Sequence, residues 1–138
     1  MAHVFICGGS KTGKTTLAND LCDSLYNIIH TDEYIGKGTW ADIPDLIIKD
    51  LQKSGDNFIC EGIQTARVLR RILKDPKKYQ IEIDRVWNLT IPFSPVEPKA
   101  LAMNKGLNTI FKEIQPLLNK KNIPIFYSVV KRVEPDKE

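Results

Sequence analysis

Val4-Phe5-Ile6-Cys7 is followed at once by Gly8-Gly9-Ser10-Lys11-Thr12-Gly13-Lys14-Thr15-Thr16. An unbroken apolar run of this length reads as a strand covered on both faces. Residues 14–26 then place Leu17, Leu21, Cys22 and Leu25 at helical spacing. Between strand and helix lies a loop that only glycine-rich sequence can make: without Cβ atoms the backbone curls and aims successive N–H groups at one point. The helix that opens at Lys14 adds the positive end of its dipole to that point, and Lys14 itself adds an ammonium. Strand, anion cradle and helix in that order predict an α/β fold with a parallel sheet.

The rest of the chain repeats the alternation. Ile28-Ile29-His30 is a second strand leading into Thr31-Asp32-Glu33-Tyr34, and a helix over residues 44–54 follows, with Asp42 as its cap and Pro44 in its first turn. Phe58-Ile59-Cys60 is a third strand ending at Glu61-Gly62. Residues 65–74 form a helix with Val68, Leu69, Ile72 and Leu73 on one side and Arg67, Arg70, Arg71 and Lys74 on the other. Residues 86–91 give a fourth strand. A proline-punctuated stretch precedes a helix over residues 99–120, bent at Pro116, and residues 123–130 give a fifth strand. Five parallel strands flanked by helices are expected, and ligands of such sheets bind beyond the carboxyl ends of the strands. Gly8, Asp32 and Glu61 all stand at such ends.

At 138 residues, 42% hydrophobic and 27% charged, the chain suits a single domain over residues 1–138. A net charge of +3 is compatible with an anionic ligand and does not demand nucleic acid. Cys7, Cys22 and Cys60 form no paired motif and read as reduced thiols of a cytosolic protein. No apolar run approaches the ~18 residues of a membrane span, and no signal peptide precedes the glycine loop. A cytoplasmic protein without membrane contact is expected. Trp87, inside a strand, reads as core, whereas Trp40 lies in a glycine-flanked loop.

Residues 8–15 match G-x-x-x-x-G-K-[ST] at every fixed position. This is the phosphate-binding loop in which Lys14 meets the β and γ phosphates and the Thr15 hydroxyl ligates magnesium. Gly8, Gly9, Ser10, Lys11, Thr12, Gly13, Lys14, Thr15 and Thr16 are therefore the candidate nucleotide-binding residues, with ATP and magnesium as expected cofactors. The chain resembles the P-loop kinases of the nucleoside, nucleotide and polynucleotide kinase type, and so implies a three-layer P-loop NTPase fold. GTPases are disfavoured because Asn104-Lys105-Gly106 is followed by Leu107 where a guanine-reading aspartate is needed. RecA-like ATPases are disfavoured by size and by the lack of a full hydrophobic run ending in Asp-Glu.

In such kinases an acidic residue after the second strand faces the acceptor, which makes Asp32 the expected base, with Lys14 as its catalytic partner. Glu61 resembles the glutamate ending strand three of uridine-kinase-like enzymes and is expected to hold magnesium through water or to touch the acceptor. Tyr34, Arg67 and Lys105 complete the expected acceptor set. The resemblance implies an ATP-dependent phosphotransferase with an alcohol group as acceptor on a nucleoside, nucleotide or nucleic acid. Phage enzymes that phosphorylate hydroxymethyluracil in DNA are one analogy, because the stretch from Pro92 to Gly106 lacks the arginine-rich lid of nucleotide kinases. Two alternatives stand beside it: a nucleotide-dependent regulatory module with slow hydrolysis, and a kinase of a small metabolite.

Overall fold

In the computed structural model, residues 2–8, 26–55, 57–89 and 98–126 are described. The loop residues Gly9 through Thr16, the helix expected over residues 14–26 up to its last residue, Cys22, the proline-rich stretch 91–97 and residues 127–138 lie outside them. The described elements are β1 (Ala2–Gly8), β2 (Asn27–His30), a 3-10 turn (Thr31–Tyr34), α1 (Ile43–Lys53), β3 (Asn57–Gly62), α2 (Thr65–Lys74), β4 (Arg85–Leu89), α3 (Pro98–Lys120) and β5 (Ile125–Phe126). The five strands form one parallel sheet in the order β2-β3-β1-β4-β5.

That order explains where the helices go. The connections β2 to β3, β3 to β4 and β4 to β5 all run in one direction across the sheet, so right-handed crossovers put α1, α2 and α3 on one face. Strand parity agrees. Phe5, Cys7, Phe58, Cys60 and Val86 form one cluster with Ile47 and Leu51 of α1, Leu69 and Ile72 of α2, and Phe111 and Ile114 of α3. Val4, Ile6, Ile59 and Leu89 alternate with them and are buried on the opposite face. Only the connection from β1 to β2 runs the other way, and the reversal at β1 makes the carboxyl ends of β1 and β3 the crevice of the sheet.

Most element boundaries fall within two residues of the sequence reading, and α2 spans the expected residues. Two details differ. Asp42 does not cap α1 with its side chain: its backbone is already helical, at φ −87° and ψ −29°, whereas a capping carboxylate needs an extended residue. Thr39 does that work instead, its carbonyl accepting the N–H groups of Asp42 at 2.9 Å and Ile43 at 3.0 Å. The second difference is at Ile123, expected to begin the last strand. Its N–H goes to the Leu118 carbonyl at 3.0 Å while Asn122, at φ 59°, donates to Asn119 at 3.0 Å. These are the two bonds of a Schellman cap, so Ile123 closes α3 and the described strand starts at Ile125.

The fold also constrains Gly62. Its φ is +134°, and a Cβ there would stand 1.9 Å from Thr31 Oγ1. Thr31 is wholly buried, and its hydroxyl accepts the Gln64 N–H at 3.1 Å. Neither partner can retreat. We expect Gly62→Ala to destabilise the protein by about 2–3 kcal/mol through backbone strain and steric conflict, read as a lower urea midpoint at unchanged slope.

Candidate functional site at the strand ends

Register brings the candidate residues to one level. Cys7 of β1 pairs with Gly62, Ile6 with Glu61, and His30 of β2 with Glu61, so the glycine loop leaves β1 beside the ends of β2 and β3. Gly8, the one loop residue that is described, closes β1 opposite Leu89 of β4.

Asp32 sits in the 3-10 turn directly after β2 with its side chain exposed. The turn is closed by its backbone: the Asp32 carbonyl accepts the Ile35 N–H at 3.3 Å. Among the described residues its carboxylate makes only a long contact, 3.5 Å, with the N–H of Ile63 in the β3–α2 turn. That leaves the carboxylate accessible beside the start of α2. Glu61 is the opposite case, a carboxyl group on a residue only 4% exposed. His30 Nδ1 meets its Oε2 directly. His30 follows Ile28 and Glu61 follows Ile59 at a spacing of two, so both side chains point to the sheet face away from α1, α2 and α3.

Arg67 lies in the first turn of α2. Its guanidinium is 5.7 Å from the ring of Trp40, an indole that is 52% exposed, and its Nη1 is buried with no hydrogen-bond acceptor among the described residues. Burial, helped by the neighbouring Arg70, pushes the Arg67 pKa down. The same turn holds Gln64, 1% exposed, with neither amide atom hydrogen-bonded among the described residues. A buried donor without an acceptor costs about 1–3 kcal/mol, more when charged, so the Arg67 guanidinium and the Gln64 amide have polar capacity that no described residue satisfies.

The other basic residues of α2 are already engaged. Arg70 meets Glu113 of α3 at 3.3 Å, and Lys74 meets the same carboxylate. Arg71 meets Asp45 of α1 at 3.0 Å and donates to the Ala41 carbonyl at 2.6 Å. The row expected as solvent face or phosphate track instead ties α2 to its neighbours, and Arg67 is the exception. Tyr34 donates its hydroxyl to Asp50 of α1, which together with burial holds the phenol well above its ordinary range. The group assigned to the acceptor thus has a partner on α1. Lys105 is exposed within α3, and no contact joins it to the strand-end cluster among the described residues. Trp87 stacks on Phe126 at 4.9 Å and packs against the core as expected. Cys7 and Cys60 are buried, and burial pushes the Cys60 thiol up to about 12.

Sequence reading missed His30, Thr31 and Gln64. His30 carried a usable signal, being a titratable residue at a strand end like Asp32 and Glu61. Gln64 carried none, since its meaning comes from burial alone.

The donor set fits a nucleotide carrying magnesium. No group of three or more potential metal ligands occurs among the described residues, and none is required where phosphates and water supply most of the octahedral oxygens. One hydroxyl from Thr15 and a carboxylate behind it suffice, and Glu61 stands at the strand end beside the loop's origin. A cleft of about 510 Å³ bordered by Ile72, Tyr79, Ile81, Ile83 and Ile123 lies elsewhere, before β4 at the amino end of the sheet. No described helix is long and apolar enough to cross a membrane.

No protein-family model matches the chain, and no curated protein matches it in sequence. In three dimensions it is similar to a shikimate kinase from Acinetobacter baumannii solved in complex with shikimate, with a TM-score of 0.52 at 14% identity, over 97% of this chain and 86% of that one. At that identity the likeness is one of fold. Together with the sheet order and the position of residues 8–15 after β1, it gives the chain the three-layer α/β architecture of P-loop kinases, a five-stranded parallel sheet flanked by helices.

Proposed function

We propose that the protein is an ATP- and magnesium-dependent phosphotransferase that moves the γ-phosphoryl group to a hydroxyl of a small acceptor, a nucleoside or nucleotide or an acidic metabolite. The observation that carries this reading is the exposed Asp32 carboxylate at the end of β2, level with the origin of the G-x-x-x-x-G-K-[ST] loop and opposite the amino end of α2. A regulatory module needs no carboxylate so placed.

Each residue then has a task. The loop amides of residues 8–15 and the Lys14 ammonium hold the β and γ phosphates and match the charge that spreads over the transferring group. Thr15 takes the magnesium, with Glu61 behind it. When bound, the ion would supply charge neutralisation to the phosphates. Asp32 accepts the acceptor hydroxyl's proton and holds its oxygen in line. Arg67, whose guanidinium lies 5.7 Å from the Trp40 ring, receives the anionic or polar part of the acceptor. Tyr34 braces the Asp32 turn against α1. Lys105 is assigned to the acceptor on charge alone.

Two observations favour a small acceptor over nucleic acid. Arg70, Arg71 and Lys74 are spent on Glu113 and Asp45 rather than offered as a phosphate track, and the fold neighbour acts, by its name, on a metabolite. The test is labelled phosphate transfer from ATP to nucleosides, monophosphates, hydroxy acids and single- and double-stranded oligonucleotides. Transfer to a small acceptor with little salt dependence supports the reading, and transfer confined to oligonucleotides that falls steeply with salt refutes it. Within it, Arg67→Met should raise the KM of an anionic acceptor about 30-fold, as loss of a charged hydrogen bond implies, and leave the KM of ATP unchanged.

A further inference from the structure

Resting on the nucleotide reading of the strand-end site, we propose that His30 is a positioning residue for that site: its imidazole holds the Glu61 carboxylate in the orientation that serves the metal of a bound Mg·nucleotide. Three observations meet here. Glu61 is one of the five buried polar or charged residues among those described, and a carboxylate placed there keeps its direction only if a neighbour dictates it. His30 is one such neighbour, directly opposite in the β2–β3 register, with Nδ1 on Glu61 Oε2. Both project to the sheet face turned away from α1, α2 and α3, and both stand at the level where the glycine loop leaves β1.

Chemistry fixes the direction of the bond. An ionised carboxylate only accepts, so Nδ1 carries the hydrogen, as it does both in the matching neutral tautomer and in the imidazolium. The positioning role therefore does not depend on the charge state of His30. A carboxylate held through one oxygen by an imidazole is the outer-shell arrangement that orients metal-facing groups in proteins, where loss of the partner costs 10–100-fold in metal affinity. The role is distinct from that of Asp32, which sits on the exposed side of the following turn and has its own contact at Ile63.

The test uses binding as well as turnover. Wild type, His30→Ala and His30→Asn are compared for ADP affinity by calorimetry and for Mn²⁺ uptake in the presence of ADP by loss of the free-ion paramagnetic resonance signal. Asparagine places an N–H close to where Nδ1 lies, so it restores the bond without the ring. The expected result is Mn²⁺ uptake about tenfold weaker in His30→Ala and within about threefold of wild type in His30→Asn, with metal-free ADP affinity equal in all three. In transfer assays the magnesium concentration for half-maximal rate should rise in parallel while the acceptor KM holds. Equal Mn²⁺ uptake in wild type and His30→Ala overturns the inference, and so does a folded His30→Asn, judged by its melting curve, that behaves like the alanine variant. If wild type binds neither ADP nor Mn²⁺·ADP, the nucleotide reading itself falls and takes the inference with it. If binding follows the expected pattern but no acceptor is phosphorylated, the phosphotransfer reading falls and His30 keeps its role.

Discussion

Asp32→Asn should lower kcat for phosphate transfer about a thousandfold and leave ADP affinity within about twofold of wild type. The magnitude is that of one positioned general base, 10²–10⁴-fold. The substitution isolates the chemistry because the structure separates the two jobs an aspartate can have here. The 3-10 turn is closed by the backbone carbonyl of Asp32, which the asparagine retains, and among the described residues the side chain makes only the 3.5 Å contact to Ile63, which an amide oxygen can also accept. Asparagine matches the carboxylate in shape but cannot take a proton. Since the residue is exposed, the melting temperature should move by no more than a degree or two. Single-turnover transfer under saturating acceptor reads the effect. A full rate in Asp32→Asn would reduce the residue to a turn element, and acceptor-independent ATP hydrolysis indifferent to the change would favour a regulatory module.

The fold was legible because its strongest signals are local. The run Val4-Phe5-Ile6-Cys7 is apolar at every position because β1 is the central strand, buried on both faces, and the helical period of residues 65–74 survives because α2 buries one whole side. Strand order was beyond reach, since nothing in Phe58-Ile59-Cys60 says that it pairs with β1 and β2 rather than β4. The misjudged details share a cause. Asp42 and Ile123 were assigned by residue preference, yet Thr39 and the Asn122 cap had already taken the backbone groups in question. In the site, Asp32 and Glu61 were visible because a charge at a strand end is legible by spacing. Their difference was not: one is exposed and the other buried against a histidine from the neighbouring strand, a relation across 31 residues of sequence. The arginine row shows the same limit, for period alone cannot say that Glu113 and Asp45 wait opposite three of its four members.

Lys14→Ala should reduce transfer by about a thousandfold or more, close to 4 kcal/mol of transition-state stabilisation, somewhat above the roughly 3 kcal/mol of a single preorganised donor because the lost group is charged. Lys14 lies outside the described residues, and its spacing from β1 carries the expectation. It follows Gly8 by six residues, and six residues span at most about 20 Å even when fully extended. Gly8 is fixed at the end of β1, one residue beyond the Cys7–Gly62 pair, so the segment that carries Lys14 starts at the strand ends. Lys14→Arg should rescue little, because a planar fork cannot replace a compact ammonium against two phosphates at once. The decisive measurement is the double variant Lys14→Ala with Asp32→Asn. Lys14 is asked to match charge on the moving phosphoryl group, and Asp32 to aim the oxygen that attacks it. Each contribution is realised only when the other is present, so the double variant should transfer phosphate scarcely more slowly than the worse single one. Losses that multiply instead, to about a millionfold, would mean that the two residues act on separate events, and the in-line transfer assigned to this site would then have to be abandoned.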